Sequence, residues 1–307
     1  MAVKYVRYKD IDKLKWDNCI DNAINRLLYG KAFYLDNLAE NWDGLVLNDY
    51  EAVMPLTWKK KWNIKYLYQP SFIQQTGIFF TQKLSRPIFN EFISRLAENF
   101  KFAEIDLNYD NRFVLSSSAG QVKERTNYII PLKKYKNGMT EFYHPNFIKS
   151  LRRLKKQNLN YQSGVDYNKV MLLYQQLYLS KIASVSKKEI AGFKKICKHL
   201  MLNNSLLIRQ AYNAEGVLLA AVLLLKDANR LYNIISCITP DGKKVEANYF
   251  LYDCVINEFA DKGYLLDLEG SDKKGIAAFY KKFNPDTENY FHFKLNNLPA
   301  MIKIFKR

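Results

Sequence analysis

The sequence predicts an α/β protein in which one unit occurs twice, each copy a mixed, mainly antiparallel sheet flanked by helices. Two observations carry this. The chain has 307 residues, about twice an ordinary domain. Helical stripes and hairpin-linked apolar runs also follow one another in a similar order in both halves, as an internal repeat requires. The expected domains are residues 1–142 and 143–307.

The second half reads clearly. In residues 168–180, Val170, Leu173, Tyr174, Leu177 and Tyr178 share one helical face; in 187–202, Ile190, Phe193, Ile196, Cys197, Leu200 and Met201 do the same. Strand-like runs follow at 206–212, 217–225 and 231–239. They are joined by Asn213-Ala-Glu-Gly216 and Asp227-Ala-Asn229, which suit tight antiparallel hairpins. Residues 240–247 read as a loop, 248–262 as a helix stopped by Gly263, and 264–268 as a short buried strand. A helix at 275–283, a break at Asn284-Pro-Asp286 and a last strand at 290–295 complete this half.

The first half repeats the outline more loosely. Residues 45–47, 50–58 and 64–68 form a meander ending in Gln69-Pro70, where the second half has Thr239-Pro240. Residues 87–100 form the helix, with Pro87 in its first turn, and the strand at 102–107 carries an Ile-Asp-Leu that echoes Leu266-Asp-Leu268. Between the halves, residues 143–157 gather Lys149, Arg152, Arg153, Lys155 and Lys156. They read either as a solvated helix face, with Phe147, Ile148, Leu151 and Leu154 docked inward, or as a grip on phosphate groups at the domain junction.

Composition narrows the function. Lys and Arg exceed Asp and Glu by 17, which points to an anionic partner. A chain that is 15% aromatic is not disordered in the main. The longest apolar run, 217–225, falls far short of the ~20 residues a bilayer helix needs, so no integral membrane association is expected. The charged start lacks a signal-type apolar stretch, and a cytoplasmic location is expected. Cys19, Cys197, Cys237 and Cys254 form no Cys-x-x-Cys pair and read as reduced, mostly buried thiols. His144, His199 and His292 fit no zinc pattern, and no metal is expected; His199 reads as a surface residue and His292 as the solvent-facing side of a strand. There is no Gly-x-Ser-x-Gly elbow, and Gly270-Ser-Asp-Lys-Lys-Gly275 has P-loop glycine spacing but Ile276 in place of the lysine.

The segment before the helix at 248 has the ingredients of an anion site. Backbone N–H groups point out of a helix start, where the dipole favours negative charge. Gly242 lets the backbone approach, Lys243 and Lys244 add charge, small Ala247 leaves room, and Asn248 opens the helix. A plain lysine-bearing loop explains the same residues.

In the first half Tyr50-Glu-Ala-Val-Met-Pro-Leu56, Tyr68-Gln-Pro70 and Phe72-Ile-Gln-Gln-Thr-Gly-Ile78 form one set of motifs. In the second half Leu266-Asp-Leu-Glu-Gly-Ser271 and Gly275-Ile-Ala-Ala-Phe-Tyr-Lys-Lys-Phe283 form another. With the order of elements, they resemble the GNAT acyltransferase fold over most of the chain, and in detail its FemAB-like branch, built from two GNAT-type domains. The resemblance implies transfer of an acyl group from an acyl-CoA thioester to an amine. Within the branch, the alternative is an aminoacyl-tRNA-dependent transferase acting on a cell-wall (peptidoglycan) precursor; a catalytically inactive binding protein of the same fold is a third reading. In the family the segment matching 241–247 wraps the pyrophosphate of coenzyme A. Here Val245 stands where the middle glycine belongs, and Gly242 where an Arg or Gln belongs.

By the same resemblance Tyr280 matches the tyrosine that protonates a leaving thiolate, a role its ordinary pKa of about 10 suits. A core aromatic explains it as well, since Ile276, Phe279, Tyr280 and Phe283 share a stripe. Asp267 and Glu269 lie at a strand end, on one side by alternation, with Glu269 the better general base. Ser236 and Cys237 are placed to polarise the acyl carbonyl through a backbone N–H. The first copy lacks a tyrosine helix after 104–107, so it is expected to hold the acceptor, through Trp58, Tyr68, Gln69, Gln74 and Gln75. The acceptor amine and the oligomeric state stay open.

Overall fold

A computed structural model describes residues 2–116, 118–136, 141–178, 185–270 and 273–299. They fall into two compact units. Unit 1 comprises Met1–Arg125, Lys187–Phe193 and Asn289–Arg307; unit 2 comprises Thr126–Ser186 and Lys194–Glu288. A single cut at 142/143 does not describe them, because the chain passes between the units at 125/126, 186/187, 193/194 and 288/289.

Unit 1 begins with β1 (Val3–Val6), α1 (Lys13–Asn22), α2 (Ala32–Leu38), β2 (Asn41–Leu47), β3 (Ala52–Lys61), β4 (Ile64–Tyr68), β5 (Phe79–Phe80), α3 (Arg86–Asn99) and β6 (Phe102–Leu107). Strand β7 (Gln121–Pro131) carries the chain into unit 2. There follow α4 (Pro145–Leu154), β8 (Asn160–Gly164), α5 (Tyr167–Tyr178), α6 (Lys187–Leu202), β9 (Leu206–Tyr212), β10 (Leu218–Asp227), β11 (Arg230–Ile238), α7 (Pro240–Lys244), α8 (Ala247–Phe259), β12 (Leu265–Asp267) and α9 (Lys274–Lys281). The return strand is β13 (Asp286–Asn296).

The two sheets have one plan. In unit 1 the order is β1-β2-β3-β4-β6-β13, antiparallel except that β4 and β6 run parallel, with β5 added on β3. In unit 2 it is β8-β9-β10-β11-β12-β7, antiparallel except for the parallel pair β11 and β12. The repeat read from the sequence is thus present strand for strand. Each sheet nevertheless takes its final strand from the other half of the sequence.

Local chemistry explains the elements that matter for the site. In α3, Phe89, Phe92, Ile93 and Leu96 follow helical spacing and are all buried, against Phe291, Phe293 and Leu295 of β13 in one core. In unit 2, residues 219–225 of β10 are buried on both faces, because α5 and α8 both pack on it. Helix α4 buries Phe147, Leu151 and Leu154 and leaves Lys149, Arg152, Arg153, Lys155 and Lys156 exposed. Ser180, the predicted end of α5, and Ser271 lie outside the described residues. Among the described residues no helix is long and apolar enough to cross a membrane.

Candidate functional site

A cavity of about 450 Å³ opens in unit 2 at the C-terminal ends of β11 and β12. Its walls are the end of α5, the first turn of α8 and α9. Tyr174, Tyr178, Ile234, Ile238, Ile276 and Phe279 make it largely apolar, and Asn233, Ser236, Asn248, Glu269, Lys273 and Tyr280 supply polar groups. This mixture of apolar walls and a few convergent polar groups is the usual form of a ligand site.

A bulge in β11 sets the polar face. Leu223 pairs with Ile235 and Leu224 with Asn233, so Ile234 is an extra residue with no partner of its own. The insertion keeps Asn233 and Ser236 on one face although they are three apart, and it turns side chains toward the cavity. Asn233 Nδ2 donates to the hydroxyls of Tyr252 (2.6 Å) and Tyr280 (3.4 Å), so both phenols meet at one amide. Burial first, then the neighbouring Tyr252 phenol and the Glu269 carboxylate, hold the Tyr280 phenol well above its ordinary pKa. It is a neutral O–H. The helical stripe that contains it divides: Tyr280 and Phe283 are buried, whereas Ile276 is 40% exposed and faces the cavity with Phe279.

The two carboxylates predicted to lie on one side of the strand end are separated. Asp267 is fully buried; its oxygens accept from Arg230 Nη1 (2.7 Å), Asn127 Nδ2 (2.9 Å) and the Glu269 backbone N–H (2.9 Å). Arg230 also grips Glu288 with both terminal nitrogens, at 2.8 and 2.9 Å. Strand alternation stops at Asp267, because Glu269 and Gly270 both take left-handed backbone (φ +62° and +49°). That turn swings Glu269 to the cavity. A non-glycine residue at positive φ is strained, and such strain gathers at functional sites. Gly270 cannot be replaced cheaply, since a Cβ there lies 2.5 Å from the Thr126 carbonyl oxygen.

The predicted phosphate loop is not a loop. Residues 240–244 form helix α7, capped by Thr239, whose Oγ1 accepts the Gly242 N–H at 3.0 Å. Gly242 serves packing rather than a ligand: a Cβ there lies 2.2 Å from the Leu219 carbonyl oxygen. Gly242→Ala is therefore expected to destabilise the protein by about 1–3 kcal/mol, the range for overpacking; an unchanged denaturation midpoint counts against it. Val245 packs on the core and Ala247 is fully buried. Lys243 and Lys244 are exposed, the latter paired with Asp241 at 2.8 Å. Cys237 faces away from Ser236, and burial pushes its thiol pKa up to about 12, which disables it as a nucleophile. Of the predicted donor-binding residues, Ser236 and Asn248 line the cavity. Helix α8 starts at Glu246, in left-handed backbone with no side-chain cap, and Arg153 of α4 pairs with Glu246 at 2.5 Å. The basic face of α4 thereby adjoins the α7–α8 corner.

The predicted acceptor residues belong to unit 1, where most are engaged by their own neighbours. Gln69 donates to the Ile73 carbonyl (3.0 Å) and accepts the Asp106 N–H (3.1 Å). Gln75, fully buried, accepts the Tyr109 N–H (3.1 Å) and donates to Gln74 (2.7 Å). The Tyr68 hydroxyl accepts the Glu40 N–H (2.8 Å), and burial pushes its pKa up to about 12. Trp58 donates to Asp43 (2.8 Å) and borders a cavity of about 260 Å³. His292 is not a free strand surface: Asp106 lies 2.9 Å from Nδ1 and Glu104 3.5 Å from Nε2. Sequence reasoning missed Asn233 and Tyr252. The available signal was an amide in the otherwise apolar and aromatic run 231–235, a placement that demands a reason.

Solved structures share this architecture. FemX aligns over 99% of this chain and 100% of its own, with a TM-score of 0.68 and 11% identity. The C-terminal domain of a lysylphosphatidylglycerol synthetase from Agrobacterium fabrum aligns over 96% and 94%, with 0.60 and 12%. A tandem GNAT protein from the clavulanic acid biosynthesis pathway aligns over 97% and 99%, with 0.50 and 9%. No family model matches the sequence, and no curated protein sequence does. At these identities the likeness establishes the fold: two GNAT-type units in the FemAB-like arrangement.

Proposed function

From a FemAB-like tandem GNAT fold, we propose that the unit 2 cavity transfers an acyl group to an amine, and that the donor is an oxygen ester of the aminoacyl-tRNA type. The observation that carries the reading is the convergence of Tyr280 and Glu269 on one cavity. Glu269, directly or through water, takes a proton from the substrate ammonium. The freed amine nitrogen attacks the acyl carbonyl carbon; the C–N bond forms and the C–O bond breaks. The departing oxygen takes the Tyr280 proton. Tyr280, which itself lines the cavity, is reprotonated there with the proton the nitrogen sheds.

Three features favour an ester over the acyl-CoA donor that the resemblance implies. Residues 240–244 are helical, with Gly242 closed by Leu219 and Val245 packed on the core, so the segment does not fit a wrapped pyrophosphate. A phenol held well above its ordinary pKa delivers a proton readily to an alkoxide, and only uphill to a thiolate of pKa about 8.5. The exposed cations of α4 offer a surface to a polyanion. The acceptor is a small-molecule or cell-wall-precursor amine.

Binding separates the donors. Aminoacylated tRNA is expected to bind and to lose affinity steeply between 50 and 200 mM salt, by about 10³-fold or more for six phosphate contacts. Acetyl coenzyme A at millimolar concentration is expected to leave the melting temperature unchanged. Stabilisation near the ~2.7 kcal/mol given by ligand at about 100 times its dissociation constant would reverse the donor assignment. Transfer with neither donor would leave a binding protein.

A further inference from the structure

We propose that Asn233 selects the substrate by its amino group: its side-chain oxygen and the Glu269 carboxylate together receive the N–H groups of the amine that enters the unit 2 cavity. The proposal deepens the transferase reading above and rests on it.

Asn233 sits inside β11 and is 4% exposed. A carboxamide in such a place needs partners for both its ends. One end has them, in the Tyr252 and Tyr280 hydroxyls. The other, Oδ1, is buried with no hydrogen-bond partner among the described residues. An orphaned carbonyl oxygen inside a protein is unfavourable, and the side chain that carries it lines the cavity. The second observation is the company it keeps. Tyr280 Oη lies 3.4 Å from the Asn233 amide and also senses the charge of Glu269. Asn233, through its amide nitrogen, and Glu269 therefore adjoin one hydroxyl, and both side chains line the cavity.

A primary ammonium satisfies both acceptors from a single nitrogen and has a hydrogen to spare. A hydroxyl has one hydrogen, and a quaternary ammonium has none. With Asn233 retaining its N–H···O bond, the proton given to Glu269 leaves a lone pair whose direction is fixed by the remaining bond. The bulge at Ile234 is what brings Asn233 to that position.

Benzylamine and N,N,N-trimethylbenzylammonium carry the same charge on the same ring and differ in N–H groups, so their dissociation constants, measured by NMR titration, test the proposal. The wild-type protein is expected to prefer benzylamine by about 10-fold, the scale of one hydrogen bond to a charged group. Asn233→Leu should bring the two within about 2-fold, whereas Asn233→Asp, which keeps an acceptor oxygen there, should retain the preference. Equal wild-type affinities, or an undiminished preference in Asn233→Leu, overturn the proposal. The wild-type comparison decides even where a substitution prevents folding. Acyl transfer by a protein that shows no such preference would remove Asn233 and leave the transferase standing. Amine preference in a protein that transfers nothing would do the reverse.

Discussion

Tyr280→Phe is expected to lower acyl transfer by about 10²- to 10⁴-fold, the usual range for losing a positioned proton donor, with donor affinity nearly unchanged. The change removes one oxygen and leaves a ring that is 7% exposed and packed beside Tyr252 and Phe279. Stability should move little, because Asn233 still donates to Tyr252 at 2.6 Å. Single-turnover rates with labelled aminoacyl-tRNA separate the two effects. An unchanged rate would remove Tyr280 from the chemistry and return it to the core. The paired control is Glu269→Gln, which keeps the shape of the turn and removes the base. Its loss of rate should shrink as pH rises and more of the amine is already deprotonated.

Arg230→Ala is expected to destabilise the protein by about 3–5 kcal/mol, the penalty for leaving a buried charge without its partner. Asp267 has no exposure, and Arg230 is its cationic neighbour at 2.7 Å, shared with Glu288 at 2.8 Å. Removing the arginine strands two carboxylates in a dry region. Replacing Arg230, Asp267 and Glu288 together by apolar residues of similar volume should recover much of that loss, because desolvation of all three then disappears. Urea denaturation of the single and triple variants measures this. A single variant within 1 kcal/mol of the wild type, outside the range stated above, would mean that solvent reaches the triad. The same experiment bears on function, since Asp267 also holds the Glu269 backbone N–H at 2.9 Å and so anchors the turn that presents Glu269.

Much of the fold was legible because its strands and helices carry regular periods. The runs at 206–212, 217–225 and 231–239 are matched by β9, β10 and β11 to within two residues. Helix α7 was not legible: Pro-Asp-Gly-Lys-Lys has turn composition, and its helicity depends on Thr239 and on the fit of Gly242 against Leu219, a tertiary contact. The pairing of β13 with β6 and of β7 with β12 was hidden for another reason. The alternation of a strand shows which face is apolar and says nothing about which distant strand it joins. In the site, Tyr280, Glu269, Ser236 and Asn248 were all named from sequence and all line one cavity. Asp267 was named too, but only the position of Arg230, 37 residues away, reveals that its carboxylate is taken. The acceptor residues were named for their polarity, and Gln69 and Gln75 spend that polarity on backbone groups.

The return of β13 to the first sheet has a consequence for how the chain is made. Until residues 291–296 emerge, β6 has no antiparallel neighbour on that side, and Leu107, Ile105 and Ala103 lack the partners they meet in the finished sheet. Residues 108–290 must be synthesised first. At 5–20 residues per second that interval lasts on the order of 10–40 s, during which the strand presents unpaired N–H and C=O groups to any other nascent chain. Unit 1 therefore closes last although it is translated first. A ribosome-bound chain halted before Asp286 should be the species most prone to aggregate and to recruit chaperones.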